Sequence, residues 1–87
     1  MEQLTKKERL VMDILWNSNT ALSASEINES YQDLNINTVQ QVLRHLLNTK
    51  FIEVDDIIFN KKSLTRTYKP IISQAQYINA FINQKSR

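Results

Sequence analysis

Amide side chains and one arginine recur at spacings of three and four residues in the middle of this 87-residue chain. Such spacings place side chains on one face of a helix. They are Asn37, Gln40, Gln41, Arg44 and Asn48, with Thr38 and His45 at the edge of the same face. A solvated face usually carries Glu/Lys pairs, and this one is polar but almost uncharged. Because Asn and Gln can pair with adenine and Arg with guanine, the pattern suits the reading of base edges.

Other chemistry is largely excluded by composition. The sequence contains no cysteine, no glycine and one histidine. These counts exclude a disulfide framework, a zinc finger, thiol catalysis, a multi-histidine metal site and a glycine-rich phosphate loop. Glu53, Asp55 and Asp56 form an acidic cluster, but no nucleophile or pocket signal accompanies them. We therefore expect no enzymatic activity, no bound metal and no cofactor.

Positive charge is concentrated in the second part of the chain. The net charge is +2, yet residues 57–87 hold six Lys/Arg and no acid, whereas residues 1–56 hold five Lys/Arg and nine acids. This asymmetry favours an anionic partner, although a solvated basic hairpin and tail would carry the same charge. Lys61, Lys62 and Arg66 are the candidates for contacts to phosphate.

The length corresponds to one small domain with a compact core. The polar N-terminus does not resemble a signal peptide, and no apolar run approaches the roughly 18 residues of a membrane span. We therefore expect a cytoplasmic protein without membrane attachment.

Capping boxes predict the first two helices. Thr5 with Glu8, and Ser23 with Glu26, have the spacing in which a hydroxyl and a carboxylate each accept from the other residue's amide. An apolar stripe follows the first box and comprises Leu10, Val11, Ile14 and Leu15. The second helix ends near Tyr31, and the link between the two helices is extended or forms a minor strand.

The third helix, residues 36–49, has the strongest pattern. Asn35 is a good N-cap, and aliphatic residues follow at i, i+3, i+4, i+7 and i+8. They are Val39, Val42, Leu43, Leu46 and Leu47. This stripe spans about 140° and lies opposite the amide face, so the helix is expected to bury one side and expose the other.

The pattern changes to strands after residue 50. Residues 51–59 and 64–69 are β-rich, and the polar turn between them predicts a hairpin with a basic tip that Pro70 ends. Ser73 and Gln76 then predict a last helix with an apolar stripe. The stripe consists of Tyr77, Ile78, Phe81 and Ile82. It either packs on the first helix or meets a second copy of the chain.

Three helices followed by a basic hairpin is the order of a winged helix-turn-helix. The predicted fold class is α+β and mainly α, with three helices, a β-hairpin wing and a C-terminal helix. Residues 1–72 would form the winged helix domain, and residues 73–87 a C-terminal helix that could dimerise. Helix 36–49 would lie in the major groove and wing 54–69 on the DNA backbone. Ser23 and Thr38 lie near helix N-termini, which bind phosphate well.

Several segments resemble the penicillinase-repressor family, which comprises repressors of β-lactamase and methicillin-resistance genes and copper-responsive relatives. Glu8–Trp16 is similar to the family's first-helix signature, and residues 37–46 to its recognition helix. Phe51 and Ile52 resemble the start of its wing. Residues 66–73 resemble its closing strand and the run into the next helix. The match covers nearly the whole chain in order and spacing.

The resemblance implies a homodimeric repressor on an inverted-repeat operator, often with TACA/TGTA half-sites. The implied base contacts are Asn37, Thr38, Gln40, Gln41 and Arg44. The candidates for backbone contact are Ser23, His45, Lys61, Lys62 and Arg66. The candidates for dimerisation are Tyr77, Ile78, Phe81 and Ile82. A winged-helix module that binds protein without sequence-specific DNA binding is the alternative, since fold does not fix function.

The chain departs from the family pattern at several places. Lys50 stands where the family usually has glycine, so it adopts a left-handed backbone at a cost of about 1 kcal/mol or the connection differs. His45 replaces a common Arg, and the hairpin is a few residues longer than usual. Family repressors continue with further dimerising helices, so residues 73–87 are the segment expected to join two copies. Copper response is not expected, because the relatives use cysteines for it.

Overall fold

The computed structural model describes residues 3–31, 33–60 and 63–85. Within these residues the chain forms four helices and three strands. In order they are α1 (Lys6–Asn17), β1 (Leu22–Ser23), α2 (Ala24–Ser30), α3 (Ile36–Asn48), β2 (Ile52–Asn60), β3 (Ser63–Pro70) and α4 (Gln74–Lys85). The predicted fold class, an α+β and mainly helical winged helix-turn-helix, is confirmed.

All three predicted capping boxes are formed. In each, the side chain of the cap accepts from the amide three residues on, and that residue's side chain accepts from the cap's amide. The pairs are Thr5 with Glu8, Ser23 with Glu26, and Ser73 with Gln76. Each box satisfies two amides that a helix start leaves without partners, so the starts of α1, α2 and α4 are set by local sequence.

The core lies between the apolar face of α3, the helices α1 and α2, and the base of the hairpin. Its buried apolar residues are Val11, Met12, Leu15, Ile27, Leu34, Val39, Val42, Leu43, Leu46, Phe51, Ile52 and Tyr77. In α1 the predicted stripe lies toward the core, with Val11 and Leu15 buried and Ile14 packed partly buried against them, whereas Leu10 is half-buried and the fully buried Met12 lies beside the stripe. The buried residues of α1 are Glu8, Val11, Met12 and Leu15, so the core-facing side of the helix shares Val11 and Leu15 with that stripe and is rotated toward Glu8 and Met12.

The strands form one antiparallel sheet in the order β1-β3-β2. The predicted minor strand exists, with Leu22 opposite Tyr68 and Ser23 opposite Thr67. Strands β2 and β3 pair from Ile52–Pro70 at the base to Asn60–Ser63 at the end, with an irregularity at Asp55. The hairpin is thus slightly longer than the predicted wing 54–69, and Pro70 ends it as predicted.

The joint between α3 and β2 turns at Lys50. Its φ is 68°, in the left-handed region, and among the described residues no other non-glycine residue has positive φ. The Lys50 amide donates to Leu47 O at 3.2 Å, and the Phe51 amide donates to Leu46 O at 3.0 Å. These two bonds define a Schellman motif, which ends a helix and redirects the chain. Lys50 therefore adopts the strained backbone of a missing glycine, the first of the two predicted alternatives.

Helix α4 packs on the domain through Tyr77. This side chain is buried, and its ring centroid lies 5.8 Å from that of Trp16 and 6.0 Å from that of Phe51. Its hydroxyl accepts from the Leu4 amide at 2.9 Å. Packing on the first helix is thus confirmed for Tyr77.

The remaining candidates on α4 are less enclosed. Phe81 is half-buried against Tyr77, at 4.8 Å between ring centroids, and Ile78 is half-buried. The side chain of Ile82 lies outside the described residues. Dimerisation through this helix stays a prediction, and so does the domain division between residues 72 and 73.

Replacing Lys50 with glycine is expected to stabilise the protein. The substitution removes the steric cost of left-handed φ but adds entropy to the unfolded chain, so we expect a net gain of about 0.5–1 kcal/mol. Urea unfolding followed by circular dichroism measures it. Lys50→Ala is the matched control, because it removes the same charge and keeps the Cβ atom. Equal stability of K50G and K50A would contradict the strain at this joint.

Candidate nucleic-acid interface

The amide face of α3 is open to solvent. Asn37, Gln40, Gln41, Arg44 and Asn48 are all exposed, and the sequence of α3 holds no Asp or Glu. The helix start is fixed by Asn35, whose side-chain oxygen accepts from the Thr38 amide at 2.8 Å. Thr38 itself is half-buried. The structure thus brings the predicted base-reading residues onto one exposed surface, with Thr38 less accessible than the others.

A groove runs between α3 and one side of the β2–β3 hairpin. Side chains alternate along a strand, so Leu64, Arg66 and Tyr68 of β3 share one side, which we call the inner face. Gln40, Arg66 and Tyr68 line both of two adjoining clefts. One cleft also reaches Arg44 and Leu47, and the other reaches Ser25 and Leu64. Together they form the α3–hairpin groove.

The α3–hairpin groove has the chemistry of an anion site. Arg44 and Arg66 supply two cations, while Gln40, Ser25 and Tyr68 supply neutral polar groups. Among the described residues that line it, none is acidic. A phosphate backbone fits such a surface, because cations and polar donors bind phosphate oxygens without regard to sequence.

Sequence reasoning missed Ser25 and Tyr68. Ser25 is exposed and Tyr68 half-buried, and both border the groove. The alternation that places Arg66 on the inner face also selects Tyr68, so strand periodicity alone could have indicated it. Ser25 required the pairing of β1 with β3, which brings the start of α2 beside the hairpin.

The acidic cluster lies at the base of the hairpin. Lys69 Nζ is 3.2 Å from Asp55 Oδ1 and 3.8 Å from Glu53 Oε2. The hydrogen bond and charge of Asp55, and then the charge of Glu53, raise the pKa of Lys69, so its ammonium group stays charged to higher pH. Glu53 is the cross-strand partner of Lys69 and lies on the face opposite Arg66. These acids are therefore held away from the inner face.

Two predicted backbone contacts have partners within the domain. His45 Nε2 lies 3.1 Å from Oε2 of the buried Glu8, which links α3 to the start of α1. Ser23 is buried, and its hydroxyl accepts from the Glu26 amide at 3.2 Å. Contact of His45 and Ser23 with phosphate stays a prediction. Lys61 and Lys62 lie outside the described residues.

Residues 3–31, 33–60 and 63–85 also bear on metal binding and membrane insertion. No group of three or more His, Cys, Asp or Glu in this part of the chain could hold a metal ion. No helix there is long and apolar enough to cross a bilayer.

Comparison with known proteins identifies gene regulators. Residues 4–86 match a family model described as penicillinase repressor. PerR from Streptococcus pyogenes, described as a peroxide sensor and gene regulator, is similar at a TM-score of 0.60 and 18% identity, over 79% of this chain and 48% of PerR. The Helicobacter pylori ferric uptake regulator Fur is similar at 0.60 and 28%, over 78% of this chain and 45% of Fur. The chain thus spans about half the length of these regulators. A search of curated proteins finds no significant match.

The position of the α3–hairpin groove predicts different effects on the binding of duplex DNA for two basic residues of β3, Arg66 and Lys69. Arg66→Ala is expected to weaken binding to duplexes of any sequence and to reduce the slope of log affinity against log salt by about 1, because one phosphate contact is lost. Lys69→Ala is the matched control, since Lys69 is engaged with Asp55 and Glu53 on the other face. Anisotropy titrations of a labelled duplex at several salt concentrations measure both. Equal losses in R66A and K69A would contradict the assignment of the groove.

Proposed function

Because the chain belongs to the penicillinase repressor family, we propose that it is a transcriptional repressor that binds duplex DNA in a sequence-specific manner. The observation that carries the proposal is the α3–hairpin groove, where Gln40, Arg44 and Arg66 converge without an acidic neighbour among the described lining residues. In the proposed complex, one phosphate strand lies in the groove. The exposed face of α3 then enters the major groove on one side of that strand, and the hairpin lies on the other.

The side chains of α3 are suited to direct readout. Asn37, Gln40 and Gln41 carry amides that can donate to and accept from adenine at the same time, and the Arg44 guanidinium can donate twice to guanine. Because the opposite side of α3 is buried, these groups sit on a rigid element. Rigid placement favours discrimination, since a mismatched base leaves polar groups without partners.

The phosphate contacts are proposed to come mainly from the hairpin. Arg66 lies on the inner face, and Lys61 and Lys62 follow β2 directly in the sequence. These contacts would orient the protein on the duplex and add affinity that depends on salt, without reading bases.

The family also implies a homodimer on an inverted-repeat operator. A protein two-fold axis then matches the two-fold symmetry of the site, and the half-site spacing follows from the distance between the two α3 helices. We propose α4 as the segment that joins the copies, through the partly exposed Ile78 and Phe81 beside the Tyr77 anchor. Such a role requires the compartment that holds the DNA, for which we propose the cytoplasm.

The alternative of a protein-interaction module is less well supported on α3. A docking helix is expected to present apolar anchors at helical spacing. Here the exposed side chains of α3 are all polar. They are Asn37, Gln40, Gln41, Arg44, His45 and Asn48.

Selection of bound duplexes from a random pool tests the proposal. We expect enrichment of one half-site in a symmetric arrangement, and the symmetry and spacing report the oligomeric state. If no sequence is enriched, and no duplex binds at low salt, the proposed function is wrong.

Truncation of the reading side chains should relax sequence preference. Arg44→Ala and Gln41→Ala are each expected to reduce the preference for the selected site over a scrambled duplex by about 1–3 kcal/mol, because a paired base contact is lost. Anisotropy titrations with the two duplexes give the ratio. Gln74→Ala removes an exposed amide from α4 and serves as the control. An unchanged ratio in both R44A and Q41A would place base readout elsewhere.

A further inference from the structure

The far half of the hairpin exposes large apolar side chains. Phe59 is 73% exposed, Leu64 is 72% exposed and Ile57 is 54% exposed. Phe59 and Leu64 are cross-strand partners, and their mutual contact stabilises a hairpin by about 0.2–1 kcal/mol. Most of their surface nevertheless remains in water. A cluster of exposed apolar groups on a small domain indicates a binding surface.

These apolar side chains lie on the inner face of the hairpin. Leu64 alternates with Arg66 and Tyr68, so the three project to the same side. Phe59 is opposite Leu64, and Ile57 is opposite Arg66, which places both on that side too. The cluster therefore faces the same direction as the α3–hairpin groove, which Leu64 itself borders.

The hairpin has the reach to carry this cluster beyond the groove. Strand β1 pairs only with Tyr68 and Thr67, so from Thr67 to Ser63 β3 extends without a third strand. At about 3.3 Å per residue this extension is roughly 13 Å. Adjacent major and minor grooves of B-DNA are half a helical turn apart, about 17 Å. A hairpin that lies beside α3 thus extends toward the neighbouring minor groove.

The charges around the apolar cluster of Ile57, Phe59 and Leu64 favour an anionic partner. Arg66 lies next to Leu64 on the inner face, whereas Glu53 and Asp55 are held by Lys69 at the hairpin base. A cation beside protruding apolar side chains is the combination that minor-groove proteins use, with the cation drawn to the groove's negative potential. An apolar surface on another protein would not require that cation.

We propose that Phe59 and Leu64 form an apolar wedge that enters the minor groove beside the α3 site and partly unstacks one base step. This inference rests on the proposed function and extends it from reading bases to deforming the duplex. Insertion of Phe or Leu between base steps kinks DNA by about 20–90° toward the major groove. Pyrimidine–purine steps deform most easily, so the wedge adds preference for such a step at a position that α3 does not touch.

A bending experiment tests the wedge. The probe is a duplex of about 30 base pairs that carries the selected site, with donor and acceptor dyes at its ends and 2-aminopurine at the step beside the α3 site. Wild-type protein is expected to raise end-to-end energy transfer and 2-aminopurine fluorescence. The double variant F59S/L64S is expected to lose both signals and to bind roughly tenfold or more weakly, because the apolar burial is lost.

Two further variants act as controls. Ile71→Ser removes an exposed apolar side chain at the other end of the hairpin and should leave bending and affinity unchanged. Phe59→Leu keeps an apolar wedge and should retain most of the bend. Circular dichroism verifies that each variant is folded, and the residues changed are exposed.

The outcomes separate the wedge from the proposed function. Binding of wild-type protein without a bend, or equal bending by F59S/L64S and I71S, overturns the wedge while repression through α3 stands. If F59S/L64S changes the sedimentation of the free protein and leaves DNA bending intact, the cluster is a protein interface and the wedge is again overturned. If wild-type protein binds no duplex, the proposed function itself fails.

Discussion

Val39, Val42, Leu43 and Leu46 bury one side of α3 against α1 and α2. Full burial of each such side chain stabilises the fold by about 1.5–3 kcal/mol relative to exposure, so rotation of α3 about its axis is strongly disfavoured. The amide face of α3 therefore points to solvent, because it lies opposite the buried aliphatic side. The amides themselves contribute little to folding. Their position for function is set by aliphatic residues that never contact a ligand.

The second constraint is the angle between α3 and the hairpin. Lys50 turns the chain within one residue, and Phe51 and Ile52, which follow at once, are both buried. The hairpin base is therefore anchored directly beside the end of α3. The inner face of the hairpin then forms one wall of the α3–hairpin groove. The left-handed residue costs folding energy, yet it gives a short and rigid joint.

Local sequence predicted much of this arrangement. The features that could not be predicted are those that depend on tertiary contacts. The capping boxes fixed the starts of α1, α2 and α4 because each is satisfied within four residues. The strong apolar period of α3 predicted both its buried side and its exposed side. In α1 the half-burial of Leu10 depended on how the helix rotates against α3, which a stripe of neighbouring aliphatic residues does not specify.

The candidate site was predictable in part for the same reason. The proposed base-contacting side chains of α3 follow from one helical period. The groove required the pairing of β1 with β3, and the place of Ile57 and Phe59 on the inner face required the cross-strand register of β2 and β3. The role of Tyr77 depended on a hydrogen bond to Leu4, 73 residues away in sequence. The apolar end of the hairpin was recognisable as β-rich sequence. The sequence did not show that Phe59 and Leu64 are exposed and not part of the core.

The strand order β1-β3-β2 leaves the outer side of β2 without a neighbour in the described sheet. An open edge of nine residues offers backbone donors and acceptors on which a second chain could add as a further strand. The bulge at Asp55 and the carboxylates of Glu53 and Asp56 protect the lower half, because they interrupt pairing and repel an identical acidic segment. Ile57, Ile58 and Phe59 give the upper half no such protection. The upper half of β2 is thus the part of this edge where pairing between two copies of the chain is least opposed.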